Sequence, residues 1–448
     1  MRRVLSVVTA SVVATAVLAY PASAEGGWSA PQRLANDQVQ AEFLHVASNG
    51  SGDVFATYWA NGIGSFTRRP SGTWNRWSES TGGAEGVDEG AVVDNDGNVT
   101  VAYPADGHCG EYWDDEMGDH GVEDADFHIA AAFRPYGKEW RQFRLPGQWA
   151  GCEQSTPALG VDARGTVTAI WSGGGSLYAS QRRLGKRWTA PLRLGPARVG
   201  EFDVVVTPEG IATAVWAATS SIRSATSRTF GRWGNDRKVA YIPDRIGLSR
   251  AEHLTVASTG PRSLLAGWSD FTLRNDRFES RVRFATADDR GRWRTPRTVK
   301  LVSNTSVRVG SVVTAAKEGN AVLAWHLIDG EKAVGPLRIR VRTRGRWSRA
   351  ALVDRRAAAF GANGLAVTDA GVVLVWIGGD PGRHFPLAAT RRWVGAWGTP
   401  QRLASRGFSS PDARVVPWAV TWKPGVVTAA FPGESELSYS DLRFRRAR

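Results

Sequence analysis

The residues best suited to chemistry are crowded into one stretch. Between Pro104 and about Phe127 stand Asp106, Glu111, Asp114, Asp115, Glu116, Asp119, Glu123, Asp124 and Asp126, with His108 and His120. Cys109 within this stretch and Cys152 beyond it are the only two cysteines. Hard carboxylate oxygens are what calcium takes, so Asp114, Asp115, Glu116, Asp119, Asp124 and Asp126 are candidate ligands for it. The spacing is not that of an EF-hand loop. A solvated acidic loop answering nearby arginines accounts for the same residues. Trp113 and Trp149 flank the cysteines and are candidate stacking rings for a ligand. No Cys/His spacing fits zinc, no Gly-x-Ser-x-Gly elbow offers a hydrolase nucleophile, and no glycine loop would cradle phosphates.

The elements that must position these residues come from a repeat. A glycine followed two or three residues later by tryptophan marks Trp28, Trp74, Trp140, Trp188, Trp233, Trp293, Trp347 and Trp397, a mean period of about 53 residues. Trp28, Trp188, Trp293 and Trp397 are followed at the third position by Pro31, Pro191, Pro296 and Pro400. Proline lacks the N–H that a ladder needs, so this extended segment belongs at a sheet edge. A second phrase joins two apolar strands by a glycine turn and ends in an aromatic: Val161 through Trp171, Val206 through Trp216 and Val367 through Trp376. Trp59, Tyr103, Trp268, Trp325 and Phe431 are its other endings. A third strand, such as Leu177 to Arg183 or Ile222 to Arg228, ends near arginine. Each unit is thus four antiparallel strands, and fourteen of the twenty tryptophans belong to it as core residues. Trp77, Trp113, Trp149, Trp393, Trp418 and Trp422 are left free for other tasks.

A period of this length is that of propeller blades. The chain opens on a lone outer strand, Trp28 to Leu34, and closes on three strands without one. Sharing a blade between the two ends gives an all-β, eight-bladed β-propeller of four-stranded antiparallel blades; seven blades is the alternative. The phrases Val161-Asp162-Ala163-Arg164-Gly165-Thr166-Val167-Thr168-Ala169-Ile170-Trp171 and Gly185-Lys186-Arg187-Trp188-Thr189-Ala190-Pro191 resemble the repeat of secreted bacterial propeller proteins, loosely sialidase-like or WD-type. The resemblance covers nearly all of the chain after its leader. It implies the fold and is silent on activity, since one fold hosts many functions. In this register Cys109 and Cys152 lie in loops on one face and are expected to form a disulfide. Glu42, Glu89, Glu153, Glu201 and Glu252 stand just ahead of inner strands. There they line the mouth of a channel as a partial ring for a cation or polar ligand, or cap backbone amides. Glu89, Glu153 and Glu201 are the candidate ligand-binding acids.

Residues 1–24 read as a signal peptide: Arg2 and Arg3, an apolar run from Val4 to Tyr20, then Ala22-Ser23-Ala24. The single propeller domain then spans 25–448, outside the cytoplasm, with no later stretch apolar for long enough to span a bilayer. The net charge of +13 favours anionic partners, although only seven of the 56 basic residues are lysines and no nucleic-acid-binding signature is present. The sialidase set of arginines, tyrosine, glutamate and aspartate does not assemble from any phrase here. The expectation is therefore a monomeric, non-catalytic binding module for an extracellular polysaccharide, an anionic wall polymer or another protein. The alternative is a glycan-active hydrolase or lyase whose site lies on the face bearing the insertion.

Overall fold

The computed structural model describes residues 25–35, 44–49, 51–59, 63–69, 74–77, 90–105, 111–114, 119–122, 126–145, 149–150, 156–198, 200–242, 250–260, 262–274, 277–288, 290–303, 307–329, 335–360, 364–380, 383–404, 417–423, 426–432 and 437–444. All regular structure among them is β-strand. The repeat becomes an antiparallel meander because two short apolar phrases and a glycine turn can only fold back on each other. The first sheet runs Leu44–Ser48, Val54–Trp59, Ile63–Arg68, Trp74–Trp77. The second runs Gly90–Val93, Val99–Ala105, Asp126–Arg134, Arg141–Arg144, and the third Ala158–Val161, Val167–Gly173, Ser176–Arg182, Leu192–Pro196. Phe202–Val206, Ala212–Ala218, Ser221–Thr229 and Arg237–Tyr241 make the fourth, and Arg250–Ser258, Leu264–Arg274, Arg277–Ala287 and Arg297–Ser303 the fifth.

A nine-stranded sheet follows. Val307–Lys317, Asn320–Asp329, Gly335–Thr343 and Ala351–Ala359 form its first half. Ala351–Ala359 then also pairs with Gly371–Asp380, through Ala357 and Ala359 opposite Gly378 and Ile377. His326 anchors that strand from behind, its Nε2–H donating to Ala357 O at 2.8 Å. In the terminal sheet, Trp418–Lys423, Val426–Pro432 and Leu437–Phe444 are joined by the N-terminal Glu25–Trp28 and Gln32–Ala35, both antiparallel to Leu437–Phe444.

First strands pack on first strands. Leu44–Ser48 lies against Gly90–Val93, and the series continues through Ala158–Val161, Phe202–Val206, Arg250–Ser258, Val307–Lys317, Leu365–Val367 and Trp418–Lys423, which packs back on Leu44–Ser48. Side chains cross these seams: Asp203 accepts from Val256 N at 2.7 Å, Thr255 Oγ1 from Thr314 N at 3.1 Å, and Ser48 Oγ donates to Thr421 O at 2.6 Å. The turns interlock too. Asp162 accepts from Arg164 N and Thr166 N, and its carboxylate lies 2.9 Å from where a Cβ on Gly210 would stand. Gly165 meets Asp94, and Gly97 meets Asp53, in the same way. All three glycines have positive φ, 80° at Gly97, 75° at Gly165 and 89° at Gly210, so the turn disfavours a side chain at each, and at Gly210 the close approach adds to it.

The aromatics that end the second phrase are the core. Trp171, Trp216, Trp268, Trp325, Trp376, Tyr103 and Phe431 are fully buried between neighbouring sheets. The tryptophans of the outer phrase are mostly half-buried instead, because their strand is the sheet edge. The arginines at third-strand ends cover them: Arg68 lies over Trp74 and pairs with Asp441 at 2.7 Å, Arg134 lies over Trp140, and Arg182 over Trp188. Two expectations need correction. Trp393 is buried with its Nε1 donating to Thr368 O at 2.9 Å, so it is a core residue. The insertion between Val99–Ala105 and Asp126–Arg134 is not simply a loop, for Glu111–Asp114 pairs with Asp119–Val122 as a two-stranded ribbon.

Candidate functional site

Cys109, Cys152, Glu89, Glu153, Asp115, Glu116 and Asp124 lie outside the described residues. In the ribbon Trp113 stands opposite His120 and Asp114 opposite Asp119. Trp149 pairs with Phe127 and Asp126 with Ala150, so the second sheet's third strand is lengthened by the chain that follows it. Among the described residues no group of three His, Cys, Asp or Glu side chains is placed to hold a metal ion.

Glu201 sits at a seam. Its Oε2 accepts from Leu254 N at 3.3 Å, and two residues on Asp203 accepts from both Val204 N and Val256 N at 2.7 Å. The Leu254 and Val256 amides lie in and just after a bulge in the fifth sheet, where the register slips between Glu252 and Thr255 and His253 takes a φ of 56°. Glu201 thus works as an amide cap across sheets. Asp203 keeps some accessible surface but lies deep in the seam, and burial pushes its carboxyl up to about 7 against the opposing pull of the two amides.

The arrangement with most chemical capacity was not singled out by sequence. Tyr241 at the edge of the fourth sheet, Arg281 and Arg283 on the fifth sheet's third strand, and Pro296 and Thr298 by its outer strand line an open cleft of about 440 Å³. Tyr241 is 55% exposed, with Lys238 Nζ 5.0 Å from its ring centroid. The long second and third strands of the fifth sheet pair Trp268 with Arg283 and Asp270 with Arg281. Asp270, 1% exposed, accepts from Arg283 Nη1 at 2.9 Å and lies 3.9 Å from Arg281 Nη1. Arg281 Nη2 also donates to Glu279 at 3.1 Å, and Arg283 Nη1 reaches Tyr241 O at 3.3 Å. Two guanidinium forks are thus held in fixed orientation by carboxylates beneath them, beside an exposed aromatic face. The signal was present as Trp268-x-Asp270 and Arg281-x-Arg283, alternate residues that share a strand face.

No family model and no curated protein matches the sequence. The chain is loosely similar to solved proteins of β-propeller fold. The BP39L lectin from Burkholderia pseudomallei is 12% identical, over 82% of this chain and 100% of that one, with a TM-score of 0.49. The alpha-L-arabinanase of Penicillium chrysogenum is 14% identical over 66% and 95%, with a TM-score of 0.37. The NanB sialidase of Streptococcus pneumoniae is 10% identical over 91% and 70%, with a TM-score of 0.38.

Proposed function

We propose that this chain is an exported, eight-bladed propeller that binds an extracellular glycan without transforming it, in the cleft between its fourth and fifth sheets. Export rests on the leader-like residues 1–24. Eight blades are supported by the nine-stranded sheet dividing into two repeat units at Ala351–Ala359. They are supported also by the N-terminal strands serving as the outer strand of the terminal sheet and by the unbroken series of first-strand contacts.

One observation carries the ligand class: the exposed Tyr241 ring beside the oriented guanidiniums of Arg281 and Arg283. A sugar ring has an apolar face that stacks on an aromatic and hydroxyls that accept from fixed donors, and donors already held in place lose little freedom on binding. The carboxylates here favour a binder over an enzyme. A glycosidase needs one carboxyl free to donate a proton and another free to attack or activate water. Asp270 and Glu279 are both engaged by arginine.

The test is a glycan array of the purified protein against Tyr241→Ala, run beside a turnover screen on the retained glycans. Retention that the substitution abolishes is the expected result. Equal retention by both proteins, or cleavage of a retained glycan, would overturn the proposal.

A further inference from the structure

The third strand of the nine-stranded sheet, Gly335–Thr343, carries arginine at every second position: Arg338, Arg340 and Arg342. Leu337, Ile339 and Val341 between them belong to the core shared with the sheet's second half, so the arginines present the opposite face, each half-buried. In register they stand beside Trp325, Leu323 and Ala321, which belong to or adjoin the core shared with the fifth sheet. The fifth sheet answers with more positive charge. Arg297 is opposite Phe284, and Lys300 opposite Val282, in its outer pair of strands, and both of those partners face the same seam.

Five cations therefore line one seam, and none of the five makes an ion pair among the described residues. Arg340 donates through Nε to Ser348 O at 2.8 Å, and its guanidinium is held below the usual range by burial and then by the like charge of Arg297. The equivalent positions in the two preceding sheets differ. The residue opposite the core tryptophan is Arg223 in the fourth sheet, where it pairs with Asp236. It is Arg283 in the fifth, where it pairs with Asp270. In the next unit it is Arg338, with no counter-ion among the described residues.

We propose that the seam between the fifth sheet and the nine-stranded sheet binds a linear acidic polysaccharide, whose carboxylates supply the counter-charge that the described residues do not. Alternate strand positions lie about 7 Å apart, so the three arginines offer a straight row of forks, and each fork takes a carboxylate with two parallel hydrogen bonds. A single-stranded nucleic acid fits less well, because such binders interleave cations with free aromatic platforms. Here Trp347 is already packed on Phe284 with ring centroids 5.0 Å apart. The site is separate from the Tyr241 cleft and does not rest on it.

The experiment measures binding of the full chain to immobilised polygalacturonate across a salt series. Neutral dextran, polyphosphate and oligo-dT are the comparison surfaces. R338Q/R340Q/R342Q should weaken polygalacturonate binding about tenfold or more and flatten its salt dependence. Arg297→Gln with Lys300→Gln should act in the same direction from the facing wall. A charge-matched control of exposed arginines elsewhere, R187Q/R262Q/R443Q, should leave the affinity nearly unchanged. An equal loss in that control would reduce the effect to net charge and overturn the site. Stronger retention on oligo-dT or polyphosphate would overturn the polysaccharide assignment. Tyr241→Ala reads out the other cleft, so failure of the glycan proposal there leaves this result intact.

Discussion

The fifth sheet turns two faces to its neighbours, and they handle arginine in opposite ways. Toward the fourth sheet, Arg281 and Arg283 rest on Asp270 and Glu279, with Trp268 beneath Arg283. Toward the nine-stranded sheet, Arg297 and Lys300 confront Arg338, Arg340 and Arg342, and no described carboxylate intervenes. The repeat supplies a similar strand geometry on both sides. Side chains at a handful of register positions decide whether a seam is neutral and preorganised or cationic and dependent on what binds it. A basic surface is therefore not one property here: part of it is scaffold, and part is a demand for anions.

The largest expected effect lies on the neutral face. Asp270→Ala takes the buried carboxylate from two guanidiniums that the open cleft can still hydrate, so the loss should be that of charged hydrogen bonds, about 1.5–3 kcal/mol. Denaturant midpoints measure it, and a loss below about 1 kcal/mol would erase the distinction between the faces. Next comes pH, at the inner end of the same seam. In the unfolded chain an aspartate titrates at about 3.9, whereas Asp203 does so at about 7. Between those values the folded state holds a proton that the unfolded state has released. Stability from this group is thus complete below about pH 4 and is lost as pH rises through 7. Wild type should fall relative to Asp203→Asn over that window in thermal melts, and parallel curves would show the carboxyl to be unperturbed. His326 works in the other direction, since burial lowers its pKa and its contribution, present above about pH 6.5, fades as pH falls.

On the cationic face the expected effects on stability are small. R338Q/R340Q/R342Q removes mutual repulsion, so the unliganded protein should be unchanged or more stable by up to about 1 kcal/mol. Destabilisation well beyond that would mean the arginines hold the seam together. Smallest of all, Tyr241→Ala should stay within about 0.5 kcal/mol of wild type, while removing glycan retention. A large loss of stability would make the ring a packing residue.

Much of the strand plan was legible because it is periodic. The glycine-tryptophan phrase and the aromatic endings at Trp171, Trp216 and Trp376 recur at fixed spacing, and proline at Pro191, Pro296 and Pro400 marks the edge. The pairing of Ala351–Ala359 with the following unit was not legible, since it depends on one strand running on toward Gly378 rather than on any repeated phrase. Nor did composition separate the two arginine faces. Arg283 and Arg338 occupy matching places, and only the register of Asp270, two residues beyond Trp268, distinguishes them. Density of charge drew attention instead to the acidic insertion. The pairs that matter lie on long strands, 13 residues apart in sequence for Asp270 and Arg283.

The turns add a consequence of another kind. Asp53, Asp94 and Asp162 each fill the space left by the glycine of the next turn, at Gly97, Gly165 and Gly210. Each unit's turn is therefore a template for its successor, and loosening one withdraws the mould that shapes the next. Loss of order in this part of the chain should spread from neighbour to neighbour as in a one-dimensional array, with amide protection falling across adjacent turns in step rather than one unit at a time.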